Sequence, residues 1–168
     1  MVAHSQSLGL SAAPGGVPLA PQPAGPLPCA QMQFTGSFRG CSWNTQALFA
    51  RRVDRQRKKM QHARRLFAAH DFAVWQETHS TQGRARMLRL PRECTAHWSH
   101  DSTHTAGVGL WIRHSFLQHF NPAQAGDWVE IVPGRAAVLR LNGPLGSLDI
   151  FVVYMHTGAA HQDGLDMG

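Results

Sequence analysis

Phe72-Ala73-Val74-Trp75-Gln76-Glu77-Thr78 is a short apolar run that ends abruptly in an acid. Its length and lack of helical spacing suit a buried strand. Glu77 then leaves that strand at the sheet rim, where a packed sheet presents chemistry to solvent. Upstream, Phe34 to Trp43 reads as a second strand, and Asn44 opens the loop after it. Between the two, from about Arg51 to His70, the pattern turns helical. Phe49, Val53, Met60, Ala63 and Phe67 form one apolar stripe, opposite a face carrying Arg52, Arg55, Lys58, Lys59 and Arg65.

Downstream, Thr81 to Leu90 suits a short helix stopped by Pro91. Further strands are expected at Thr95 to Ser99, Gly107 to Arg113, Trp128 to Val132, Ala136 to Leu141 and Leu148 to Tyr154. Asn121-Pro122, Pro133-Gly134 and Asn142-Gly143-Pro144 supply turns between them. Strand, helix, strand and then a run of antiparallel-type strands imply an α+β fold: a mainly antiparallel sheet with helices on one face.

Residues 1–33 read as a disordered leader. Six of the ten prolines fall there, and the first Lys or Arg is Arg39. Such a segment cannot supply regular backbone hydrogen bonds and suits a linker, or a docking tail for a proline-reading module. Residues 34–168 are the expected folded domain, since 168 residues have room for one ordinary core.

The net charge of +6 favours a polyanionic partner, nucleic acid or an anionic surface. Cys29, Cys41 and Cys94 are an odd set without CxxC spacing, so a disulfide framework is not indicated and a reducing, intracellular setting is expected. No run approaches the ~18 apolar residues of a membrane span. His97, His100 and His104 have spacings that could suit zinc, against a plainer reading as strand followed by loop. The eight basic residues from Arg51 to Arg65 could contact phosphates, against the plainer reading of a solvated helix face.

Gly40-Cys41-Ser42-Trp43-Asn44 resembles the "sWN" opening of the endonuclease/exonuclease/phosphatase superfamily, the AP-endonuclease and DNase-like group that includes non-LTR retrotransposon endonucleases. Phe72 to Thr78 is similar to its "D-apolar-QET" strand, and Thr105 to Leu110 to its "aGVai" strand. Gly134-Arg135 through Val138, followed by Leu148 to Tyr154, resembles its "GR-strand-turn-strand-Y" hairpin. The four motifs occur in the family's order and span about Phe34 to Gly158.

The resemblance implies the first half of a four-layer α/β sandwich of DNase-like fold, with Mg2+ or Mn2+ as cofactor. It implies that Glu77 is a metal ligand, that Asn44 orients a phosphate oxygen or a carboxylate and belongs to the metal site, and that Tyr154 faces phosphate. Magnesium takes hard oxygen ligands and keeps several waters, so one or two carboxylates plus a substrate phosphate can hold it. Each residue also has a plainer reading: a surface Glu ending a strand, a turn or capping Asn, and a core Tyr. Met155-His156-Thr157 stands where the family has Tyr-x-Pro. The family's Asp-Asn strand end and terminal Asp-His pair are expected beyond Gly168.

Two functions follow as expectations. The first is metal-dependent phosphodiester hydrolysis, nuclease-like on DNA or RNA, with inositol-phosphate or sphingomyelin substrates left open. The second is a catalytically inactive chain that binds nucleic acid or a protein. Half of a two-sheet sandwich would also expose one apolar sheet face, which another chain or the remainder of the fold would cover.

Overall fold

Strands β1 (Gly40–Asn44) and β2 (Phe72–Gln76) run parallel, in register from Gly40 against Phe72 to Asn44 against Gln76. Parallel neighbours need a crossover, and helix α1 (Val53–Ala68) supplies it. In this computed structural model, residues 32–101 and 106–155 are described. His104, Cys29 and most of the leader lie outside them.

After β2 comes a short helix, α2 (Gln82–Arg86), whose N-cap Thr81 accepts a hydrogen bond from the Arg84 backbone N–H. Strands β3 (Cys94–Ser99) and β4 (Val108–Arg113) then complete a mixed sheet of order β1-β2-β4-β3, with β4 antiparallel to both neighbours. A single turn of helix, α3 (His114–Leu117), ends this part. Strands β5 (Trp128–Val132), β6 (Ala136–Gly143) and β7 (Gly146–Val153) form a separate antiparallel sheet.

The α+β class is as the sequence implied, but the single, mainly antiparallel sheet is corrected to two sheets, one of them mixed. The alternation of side chains along each strand explains the division. Val74, Val108, Leu110 and Ile112 point from the mixed sheet toward Ala137, Leu139, Leu141, Ile150 and Val152 of the second sheet. Ala73, Trp75 and Trp111 point the other way, onto Met60, Ala63 and Phe67 of α1. The mixed sheet is therefore apolar on both faces and covered on both. The apolar face without a partner is instead the outer face of the second sheet, where Val129, Ile131, Phe151 and Val153 are exposed.

Two local expectations also change. Val53 is 78% exposed although it shares a helix face with Met60, because it is the first residue of α1 and stands beyond the end of the sheet that covers Met60, Ala63 and Phe67. Phe49 is buried from the loop before α1 rather than from the helix itself. The strand expected from Phe34 begins only at Gly40, since Phe34 turns into the seam between the sheets against Phe116 and Phe120. Met32 and Gln33, assigned to the leader by composition, lie along β7: Ser147 N donates to Met32 O at 2.7 Å and Phe34 N to Ser147 O at 2.9 Å. Gly146, with φ +108°, permits this approach; a Cβ there would stand 2.3 Å from Gln33 O.

Candidate functional site

The parallel pairing of β1 and β2 brings their carboxyl ends side by side, the position where open sheets present ligand-binding groups. Asn44 closes β1, and Glu77 follows β2 directly. The Asn44 Nδ2 donates to Glu77 Oε1 at 2.7 Å. The other side of the amide is engaged too, since Asn44 Oδ1 accepts from Gln46 N at 3.1 Å. This arrangement makes Asn44 an orienting group for the Glu77 carboxylate. The amide oxygen has two lone pairs, and the bond from Gln46 N uses one, so the orienting role leaves room for the metal-site role expected of Asn44.

Tyr154 arrives from the second sheet, just past the end of β7, and its hydroxyl hydrogen-bonds Glu77. Partial burial, that hydrogen bond and the Glu77 charge push the Tyr154 hydroxyl above its ordinary range, while the Arg135 guanidinium opposes them. The plainer reading of Tyr154 as a core residue therefore accounts for only part of its surroundings. It touches the inter-sheet core along one side and carries its hydroxyl to the acid.

The loops that hold these groups are unusual. Gln46, Ala47, Glu77 and His79 all have left-handed φ, between 46° and 73°, without being glycine. Each such residue costs on the order of 1–3 kcal/mol and persists only where its surroundings over-determine it. Here the surroundings are visible. Thr45 N donates to Gln76 O at 2.9 Å, Ala47 N to Glu77 O at 2.7 Å, and Phe49 N to Thr78 O at 2.9 Å. The Thr45 hydroxyl adds bonds to Gln76 O and Glu77 O, and accepts from Leu48 N.

Lys59 reaches back from α1 to the same loop. Its Nζ donates to Thr45 O at 2.7 Å and to Gln46 O. Burial and the neighbouring Arg55 push this ammonium below its ordinary range, and the Glu77 charge partly restores it. The sequence reading put Lys59 on a solvated face. Nothing in the periodicity could show that its side chain doubles back.

Arg135, marked in the sequence only as part of the Gly134-Arg135 motif and given no role there, is the second such residue. Its guanidinium lies over the Tyr154 ring at 5.7 Å, and its Nη1 is buried without a hydrogen-bond partner among the described residues. A guanidinium N–H with no protein acceptor is suited to an anionic oxygen. Gly134 sets the turn that carries it. With φ +69°, Gly134 donates its N–H to Ser99 Oγ at 2.7 Å, and an added Cβ would stand 2.6 Å from Asp101 N. Only glycine fits so close to that backbone.

Beneath the rim, Thr78 Oγ1 donates to Ser80 Oγ at 3.0 Å, and Ser80 Oγ meets His100 Nδ1 at 2.8 Å. Ser80 is fully buried, which makes this a structural latch rather than a nucleophile with access to substrate. His97 stacks on Trp128 at 5.2 Å, joining β3 to β5 across the two sheets, and burial pushes its ring below the ordinary range. The two described members of the proposed zinc triplet are thus occupied separately; His104 lies outside the described residues. Among the described residues no three His, Cys, Asp or Glu side chains group as a metal cage.

Glu77 remains as one hard carboxylate with a neighbouring hydroxyl. That suits a magnesium ion keeping most of its waters and taking a substrate phosphate, not a cation held by protein alone. Among the described residues, no helix is long and apolar enough to cross a membrane. No family model matches this chain, and no curated protein matches it.

Proposed function

We propose that the chain carries a metal-assisted phosphodiester-hydrolysing site of the endonuclease/exonuclease/phosphatase kind, acting on nucleic acid. The observation that carries this reading is the convergence of Asn44, Glu77 and Tyr154 on one sheet rim, from three strand ends on two sheets. The layer order of helix, mixed sheet and antiparallel sheet agrees with part of a DNase-like sandwich, whose fourth layer would lie on the exposed outer face of β5–β7.

In this reading Glu77 holds magnesium or manganese, which supplies Lewis-acid stabilisation of charge on the phosphate oxygens. Asn44 fixes the rotamer of that carboxylate through its 2.7 Å bond. Lys59 locks the loop that follows Asn44 by donating to the Thr45 and Gln46 carbonyls. Tyr154 presents a hydroxyl that donates to a non-bridging phosphate oxygen, and the Arg135 guanidinium, over the Tyr154 ring at 5.7 Å, adds positive charge behind it. The surplus of 16 Lys and Arg over 10 Asp and Glu favours a polyanionic substrate.

A second reading is a binding module that does not hydrolyse. It is favoured by the solitary carboxylate: moving a proton from water and another to a leaving alkoxide needs further acid and base groups. Both readings are separated by incubating purified protein with supercoiled plasmid and magnesium. Hydrolysis predicts nicking that Glu77→Gln reduces by about 100-fold or more. Salt-sensitive plasmid binding without nicking supports the module, and equal nicking by both proteins removes Glu77 from the chemistry.

A further inference from the structure

A groove runs along the outer layer, on the far side of the mixed sheet from the second sheet. One wall is a stripe of α1 (Val53, Arg57, Met60, Arg64, Phe67); the other is the segment from Leu88 to Glu93. Two cavities of about 860 and 490 Å³ lie one after the other along this stripe, with Arg64 in the lining of both. The helix stripe from Val53 to Ala68 is about 22 Å long at 1.5 Å per residue. Three turns or more of a second helix would fit along it.

The chemistry of the channel is split. Its floor is aliphatic, made by Met60, Leu88, Leu90 and Pro91, with Val53 exposed at one end. Its edges are cationic. Arg57, Arg64 and Arg92 have no acidic partner among the described residues, whereas the one carboxylate present, Glu93, is taken by Arg113 at 3.4 Å. Arg113 itself is committed to the end of α1, donating to Ala68 O at 2.7 Å and His70 O at 2.8 Å. Arg64 stands between the two cavities, tied by a 2.7 Å bond to Arg89 O, so a docked helix would cross over it with a carboxylate above the guanidinium.

We propose that this groove docks an acidic amphipathic helix of a protein partner: its aliphatic side chains would enter the floor and its carboxylates would meet Arg57, Arg64 and Arg92. A mixed aliphatic floor with a flexible Met and flanking arginines is how grooves receive such helices. A nucleic-acid strand fits less well. Stacking needs an exposed aromatic face, and the one aromatic in the lining, Phe67, is 2% exposed and covered by the Arg113 guanidinium at 5.2 Å. This surface is separate from the Glu77 rim, so the proposal stands or falls independently of the phosphodiesterase reading.

The test uses the full chain and fluorescence anisotropy with three probes. These are an 18-residue labelled peptide with Leu on one helical face and Glu on the other, the same residues scrambled, and a 20-nucleotide oligothymidine. The amphipathic peptide is expected to bind, with an affinity that falls as salt rises. Arg57→Glu with Arg92→Glu should weaken it about tenfold or more. Val53→Asp should weaken it several-fold by spoiling the apolar end. Lys58→Glu, a single charge reversal outside the groove, should alter it by less than about twofold, whereas Arg57→Glu alone should weaken it by more than that. All four positions are exposed, so the variants are expected to fold, which a thermal melt checks. The proposal is overturned by absent peptide binding at about 100 µM, by equal binding of the scrambled peptide, by tighter oligonucleotide binding, or by an equal loss with Lys58→Glu.

Discussion

Trp75 and Glu77 are two residues apart, yet they belong to opposite physical regimes. Trp75 is fully buried under α1, packed edge-on to Trp111 at 5.1 Å and to Trp43 at 6.1 Å. Glu77 sits in left-handed backbone conformation, tied by hydrogen bonds to a loop with two more such residues. The core under α1 is made of large aromatic surfaces that lower the free energy wherever they are packed. The rim contains conformations that raise it. The lesson is that the rim is held in its shape by the core directly beneath, and that stability alone gives no reason for that shape.

This contrast can be broken most strongly from the core side. Trp111→Ala should destabilise the protein by about 3–5 kcal/mol, read from denaturant unfolding, and should loosen the rim with it. Gly134→Ala should come next. Strain at φ +69° together with the clash on Asp101 predicts a loss of more than about 1 kcal/mol and a displaced Arg135, seen in the unfolding midpoint.

A pH series sharpens the role of the seam between the sheets. His97 is pushed below its ordinary value by burial, so the folded state binds fewer protons than the unfolded chain. Its neutral form contributes stability fully above the unfolded value near 6.5, and that stability is lost as pH falls below it. His97→Phe should keep the stack on Trp128 and flatten the decline in melting temperature below that pH. The smallest expected effect lies in the rim itself. Ala47→Gly should stabilise by about 0.5 kcal/mol, since glycine adopts φ 73° without strain.

The legible parts of the molecule were those written in local pattern. The periodicity of Met60, Ala63 and Phe67 located α1, and the apolar run from Phe72 located β2 to the residue. The adjacency of Asn44 and Glu77 was readable because each closes one of two strands joined by a single helix. What was hidden depends on through-space geometry. The four residues of α3 are too few to show a period, and the division into two sheets rests on which alternate faces meet. Lys59 doubling back onto the Thr45 carbonyl and Arg135 lying over Tyr154 leave no spacing signal at all. The left-handed residues of the rim were equally silent, because none of Gln46, Ala47, Glu77 or His79 is glycine.

The account rests on the Glu77 carboxylate, steered by Asn44, receiving a divalent cation at the sheet rim. Manganese binding to the full chain, followed by its paramagnetic relaxation of water protons, measures this without requiring turnover. The expected result is a site on the unaltered protein that Glu77→Gln abolishes and Asn44→Ala weakens, with thermal melts unchanged in both variants. Undiminished manganese binding by the folded Glu77→Gln protein would contradict it.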